Sequence, residues 1–206
     1  MLRKHTLTLL TVCLAIAVAA GLGACSAEAQ NGARTEDAPR VGDKAPNFTM
    51  TDHKGKEHSL EDYRGKVVVL DFSSQHCPYS KAADPHFAKL HEEFKDRGVA
   101  ILSIDSHNAT PPEDIAEYAK ENDLPFPILK DEGNEYADKM EAQRTPEVFI
   151  LDKEGAIVYH GAFDDGRMPG EGDKAYVKDA LTAILAGEDV DPATTKAIGC
   201  TIKRAG

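Results

Sequence analysis

The stretch from Lys66 to Pro85, KVVVLDFSSQHCPYSKAADP, limits the fold more than any other part of the chain. Val67 to Phe72 is a short, mostly β-branched run between Gly65 and the polar cluster Ser73 to His76, the pattern of a strand buried on both faces. Pro78 suits the first position of a helix, where its missing N–H has no partner to lose. Ala83, Phe87, Leu90 and Phe94 then recur at helical spacing until Gly98 stops the helix. Cys77 therefore falls at a helix cap, at the carboxyl end of a central strand. Unpaired N–H groups and the positive end of the helix dipole favour a thiolate there, and the thiolate is the nucleophile of thiol chemistry. The competing reading is an inert, buried cysteine packed as a small hydrophobe. The polar flanks and the cap position argue for the reactive one.

Residues 1–24 open with Arg3 and Lys4, run apolar from Leu7 to Ala20 and end in small residues, the layout of a secretory signal peptide. Leu22-Gly23-Ala24-Cys25 resembles a bacterial lipoprotein box, in which Cys25 is lipidated and becomes the mature N-terminus. Cleavage after Ala29 is the alternative. A multi-chain lipid anchor would hold the protein stably on a membrane of the cell envelope, facing the periplasm or extracytoplasmic space. Residues 25–40 are polar and small and read as a flexible tether. Loss of residues 1–24 removes two positive charges and no negative ones, taking the formal net charge from -11 to -13. Such a surface speaks against nucleic acid as a partner.

The expected domain spans residues 41–187, followed by a tail over 188–206. Within it, Val41 to Gly65 reads as two short strands around a turn at His53 to Gly55, then a helical turn started by Ser59 with Asp62 three residues on. Val99 to Asp105 is a second buried strand, and Pro112 to Glu121 a helix. Phe126 to Leu129 is a short strand and Asn134 to Glu141 a short helix. Glu147 to Asp152 and Ala156 to His160 flank the turn Lys153-Glu154-Gly155, and Lys174 to Ala186 is a closing helix ended by Gly187. This alternation predicts an α/β fold, with a central mixed sheet flanked by helices.

Of four cysteines, Cys13 leaves with the signal peptide and Cys25 would be lipidated, so the mature domain keeps Cys77 and Cys200. Two thiols in an oxidising compartment are expected to pair, or to cycle between paired and free. Spacing cannot fix the outcome. Cys200 can resolve a Cys77 intermediate, hold a permanent disulfide, or lie elsewhere.

VGDKAPNF, DYRGK, VVVLDF, Cys77-Pro78, Pro85 within the helix, Thr145-Pro146 before a strand and FILDKEG together resemble the thioredoxin fold in its peroxiredoxin (AhpC/TSA redoxin) and thiol reductase branch. His76-Cys77-Pro78-Tyr79, Tyr159 to Asp165 and Gly199-Cys200-Thr201-Ile202-Lys203 match a peroxiredoxin-like group with HCPY and GCxIK motifs. The resemblance implies that Cys77 is the reactive cysteine, with Pro146 a cis-proline facing it beside a strand edge where an extended substrate could lie. Ser74 matches the hydroxyl position that holds peroxide beside the sulfur in peroxiredoxins. Leu70, however, replaces that family's proline. Arg144 is a candidate cation and His76 a modulator of the thiol. An ordinary surface role for Arg144 stands beside that reading.

Ser80 occupies the second thiol's place in a CxxC dithiol, and a serine cannot resolve a mixed disulfide, so chemistry through residues 77 and 80 is excluded. The expected activity is thiol oxidoreduction on a peroxide or a thiol/disulfide protein, regenerated by Cys200 or an external thiol reductant. Disulfide exchange without peroxidase activity and a non-catalytic binding module are the rivals. No cofactor or metal is expected. The remaining histidines lack zinc-type spacing, and Asp164, Asp165, Glu171 and Asp173 read as a solvated acidic face.

Overall fold

The computed structural model describes residues 38–204. Strands β1 (Thr49–Thr51) and β2 (Glu57–Ser59) form an antiparallel hairpin. Asp52 holds its turn, taking the N–H groups of Lys54 and Lys56 on Oδ1 and the His58 ring on Oδ2 at 2.9 Å. Ser59 and Asp62 close a capping box around a single 3-10 turn at Leu60–Tyr63. Then come β3 (Val67–Ser73), α1 (Pro78–Phe94), β4 (Val99–Asp105), α2 (Pro112–Glu121) and β5 (Ile128–Lys130). They are followed by α3 (Glu135–Lys139), β6 (Arg144–Thr145), β7 (Glu147–Leu151), β8 (Ile157–Gly161), α4 (Tyr176–Ala186) and β9 (Cys200–Thr201).

The central sheet has the order β5-β4-β3-β7-β8, with β3 parallel to β4 and antiparallel to β7. It is the expected mixed α/β sheet. Side chains alternate along β3: Val67 and Val69 enter one core with α1, α2 and α4, while Val68, Leu70 and Phe72 enter a second with the hairpin and α3. Each large apolar side chain so buried contributes roughly 1.5–3 kcal/mol. On α1 the buried positions Ser80, Ala83, Asp84, Phe87, Leu90 and Phe94 form one stripe, and Gly98 ends the segment in the left-handed region.

Several elements differ from the sequence reading, among them the closing helix, which starts at Tyr176 and not at Lys174. The short strand after Phe126 starts at Ile128, because Pro127 has no N–H for the ladder and offers only its carbonyl, to Ser103 N–H at 3.0 Å. Helix α3 begins one residue late, with Asn134 in the left-handed region at φ 63°. The pairing of β6 with β9 has no counterpart in the periodicity at all, since each is two residues long.

Beyond α4 the chain crosses back over β8 and on to β6. The Thr195 hydroxyl meets Tyr159 OH at 2.6 Å and takes Ala162 N–H at 2.9 Å, while His160 and residues 193–195 exchange backbone bonds. Gly161 allows this approach: its φ is +151°, and a Cβ there would overlap Thr195. Among the described residues no helix is long and apolar enough to cross a membrane. The expected signal peptide, the anchor at Cys25 and most of the tether lie outside the described residues.

Candidate active site

Cys77 has extended backbone and directly precedes Pro78, the first residue of α1. Its carbonyl accepts the first helical bond from Lys81 N–H at 3.0 Å, and its own N–H closes a turn on Ser74 O at 2.9 Å. Ser74 tightens that turn: its hydroxyl accepts from His76 N–H at 3.2 Å, and its N–H donates to Ser80 Oγ at 3.3 Å. Ser80, buried at the second thiol's place, thus uses its hydroxyl to hold the loop that aims Cys77.

The Cys77 side chain is only 2% exposed, and its Sγ donates to the Thr145 carbonyl at 2.9 Å. The Thr145–Pro146 peptide is cis. On the other side of Thr145, β9 pairs antiparallel with β6, placing Cys200 directly opposite Thr145. Gly199 makes the pairing possible, because a Cβ there would overlap the Thr145 carbonyl. Both cysteines are free thiols, and both line one cleft.

Burial opposes ionisation of either sulfur, yet the pair splits. At Cys77, the hydrogen bonds of the Cys200 thiol, the Thr145 side chain and the Ser80 and Cys200 amides outweigh burial and hold the pKa below the ordinary thiol value. At Cys200, burial and then the hydrogen bond and charge of Cys77 push the pKa up to about 11, against the Tyr79 amide and Lys203. Of the two thiols, Cys77 is the one that ionises first.

A cleft of about 210 Å³ opens on this pair, walled by Ser74, His76, His107 and the tail residues Thr201 to Lys203. The His76 and His107 rings lie 4.8 Å apart. Burial lowers the His107 pKa, with His76, Lys130 and Lys203 adding to it against Asp105, so the ring is neutral at pH 7. The Arg144 guanidinium is elsewhere: it donates to Thr201 Oγ1 at 3.0 Å and does not line the cleft. A larger cavity of about 500 Å³, lined by residues of β1, β5 and α3, contains neither cysteine.

Behind Cys77 lies Asp71, buried within β3. Its Oδ2 accepts from Ser103 Oγ at 3.4 Å, and Oδ1 has no hydrogen-bond partner among the described residues. Burial raises its pKa well above the ordinary aspartate value, and the charges of Asp84 and Cys77 add to this. Asp84 in turn is raised by burial to about 6 while accepting the Tyr118 hydroxyl at 2.5 Å. Sequence reasoning missed Asp71, His107, Ile202 and Lys203. An acidic residue inside an apolar strand was a usable signal for the first, and the GCxIK motif for the last two. His107 carried none, because its position depends on a loop end meeting a residue thirty places away.

A sulfur held at the cap of the helix that leaves a central mixed strand, opposite a cis-proline, is the arrangement of the thioredoxin fold. The chain belongs to the AhpC/TSA family, whose model matches residues 41–160. It is 33% identical over 125 residues to the thiol-disulfide oxidoreductase ResA of Bacillus thuringiensis subsp. konkukian, covering 60% of this chain and 70% of that one. Among solved structures, a hypothetical protein of Sinorhizobium meliloti 1021 superposes with a TM-score of 0.76 at 29% identity, over 82% of this chain and 97% of that one. An uncharacterised conserved protein of Geobacillus kaustophilus gives 0.75 at 32%, over 81% and 93%.

Proposed function

We propose that this thiol oxidoreductase of the thioredoxin superfamily uses Cys77 as its nucleophile and Cys200 as the thiol that resolves the oxidised product. The placement of both thiols on one cleft carries the reading, with Cys200 opposite the Thr145 whose carbonyl takes the Cys77 thiol. With a hydroperoxide, the Cys77 thiolate attacks one oxygen, the O–O bond breaks, the alcohol or water leaves with a proton, and Cys77 becomes a sulfenic acid. Attack by Cys200 on that sulfur expels water and forms the Cys77–Cys200 disulfide. With a disulfide, Cys77 displaces one substrate thiolate to form a mixed disulfide, and Cys200 displaces the other. Either way an external dithiol returns two electrons.

The titration order supports this sequence of steps. While Cys77 is anionic, its charge keeps Cys200 protonated and unreactive. Oxidation of Cys77 removes that charge, so Cys200 ionises more readily once it is needed. The likeness to proteins named thiol-disulfide oxidoreductases favours the disulfide branch over the peroxide branch. The charged start, apolar run and Leu22-to-Cys25 box support an envelope location with Cys25 as a lipid anchor.

The test follows intact mass and free thiols after one equivalent of hydrogen peroxide, or of 2-hydroxyethyl disulfide, is added to reduced protein. The expected product has lost both thiols and carries a Cys77–Cys200 linkage. Survival of both thiols for many minutes in peroxide removes the peroxidase branch. A modified Cys77 with Cys200 still free after either oxidant removes the resolving role.

A further inference from the structure

An open backbone edge beside a reactive sulfur is a place where an extended polypeptide can add as a strand. In this molecule the edge is already taken. Thr201 pairs with Arg144 and Cys200 with Thr145, and Ile202 N–H continues the ladder to Gln143 O at 3.1 Å. Gly199 lies against the Thr145 carbonyl and the Pro146 nitrogen so closely that no side chain fits between. The occupant is part of the same chain, so its local concentration far exceeds that of any separate peptide.

The tail is also fastened beyond the pairing. Ile202 is buried in the core formed with the hairpin and α3. Past it, Asn108 acts as a clasp: its N–H donates to Lys203 O at 3.0 Å and its Nδ2 to Arg204 O at 2.9 Å. The Arg204 side chain closes the other side, with Nε on Asp138 Oδ1 at 2.6 Å and an Nη on Ala142 O at 2.7 Å. What remains open at Cys77 is the 210 Å³ cleft, below the usual size for drug-like ligands.

We propose that the segment Gly199 to Arg204 sets the specificity of the site, occupying in cis the strand edge that an extended polypeptide would need and reserving Cys77 for small molecules until the clasp opens. This rests on the reading of Cys77 as the nucleophile. Asn108 and Arg204 are its specificity-determining residues; neither lines the cleft, and both act by holding the tail.

The experiment compares two probes of the same chemistry on the reduced full-length protein: 2-hydroxyethyl disulfide, and that disulfide carried in the middle of a ten-residue extended peptide. The wild type is expected to react with the small probe at least tenfold faster. In Asn108→Ala/Arg204→Ala the ratio of peptide rate to small-probe rate rises about tenfold, the small-probe rate reading any change in Cys77 itself as Cys200 loosens. A peptide rate that ignores the clasp, or a wild type that treats both probes alike, overturns the inference and leaves Cys77 as nucleophile intact. A wild type inert to both probes ends the nucleophile reading and this one with it. Should the double variant fail to fold, hydrogen exchange on the wild type decides. Protection of the Ile202 amide supports the inference, and exchange at the rate of an unstructured chain overturns it.

Discussion

The two sulfurs lie side by side, but the structure holds them by opposite means. Cys77 is fixed by the middle of the protein, between a fully buried strand and a seventeen-residue helix. Cys200 is fixed by a two-residue strand, one glycine contact and a handful of side-chain bonds near the end of the chain. The difference suits the proposed division of labour: a nucleophile has to be pre-aimed and activated, whereas a resolver has to arrive and later withdraw. Packing of many apolar groups gives the first property, and a short ladder with removable clasps gives the second.

Cysteine replacements break the comparison most sharply. Cys77→Ser is expected to reduce oxidant consumption at least about a thousandfold, because a hydroxyl at neutral pH is not ionised. Cys200→Ser should leave the first step fast and remove the internal disulfide, seen as a sulfenic acid or mixed disulfide persisting on Cys77. Equal loss in both variants would mean that the two sulfurs do not divide the work.

A middle-sized effect is expected where the two regions meet. Glu147, next to Pro146, accepts from Gln143 and Arg144 N–H at 2.7 and 2.8 Å and from His160 Nε2 at 2.7 Å. Burial opposes its charge, but the His160 hydrogen bond, these two amides and the histidine's charge bring its pKa below the ordinary value. A carboxyl whose folded pKa is depressed adds stability above its unfolded pKa, and loses that stability as pH falls through the folded one. Glu147→Gln should therefore cost about 3 kcal/mol at pH 7, as expected for breaking a buried pair, and the deficit should shrink as pH falls below about 4. Thermal unfolding across pH reads both; a variant within 0.5 kcal/mol of wild type, roughly a neutral surface change, would contradict this account.

The smallest effect has the opposite sign. The Asp71 pKa is raised, first by burial, so the folded state binds its proton more tightly than the unfolded chain does. That contribution is present below the unfolded pKa and falls away as pH rises towards the folded pKa, leaving a net destabilisation above it. Asp71→Asn should gain on the order of 1 kcal/mol at pH 7, a rise in Tm of roughly 2–4 °C. A lower Tm would show that the carboxylate is better solvated than its geometry implies.

Much of the Cys77 side was legible in the sequence, because its signals are local. The apolar run of β3, Pro78 at the first helical position and the stripe on α1 are set by neighbours a few residues apart. The Cys200 side was not, since β6 and β9 are too short for any period and meet across more than fifty residues. For the same reason the sequence left Arg144 open between a cation for the thiolate and an ordinary surface residue, and its guanidinium reaches the tail at Thr201. His107 looked like one of several scattered histidines until the loop after β4 brought it against His76.

The distance in sequence between the paired sulfurs has one more consequence. A bond between Cys77 and Cys200 would close a ring containing every strand of the central sheet after β3 and all four helices. Closing a loop of more than a hundred residues removes enough freedom from the unfolded chain to be worth roughly 5 kcal/mol. By the same linkage, the folded protein holds that bond more tightly than an unfolded chain would. The redox state of the pair would then also set the lifetime of the molecule: oxidised copies resist unfolding and proteolysis, and each reduction returns them to the ordinary rate of loss.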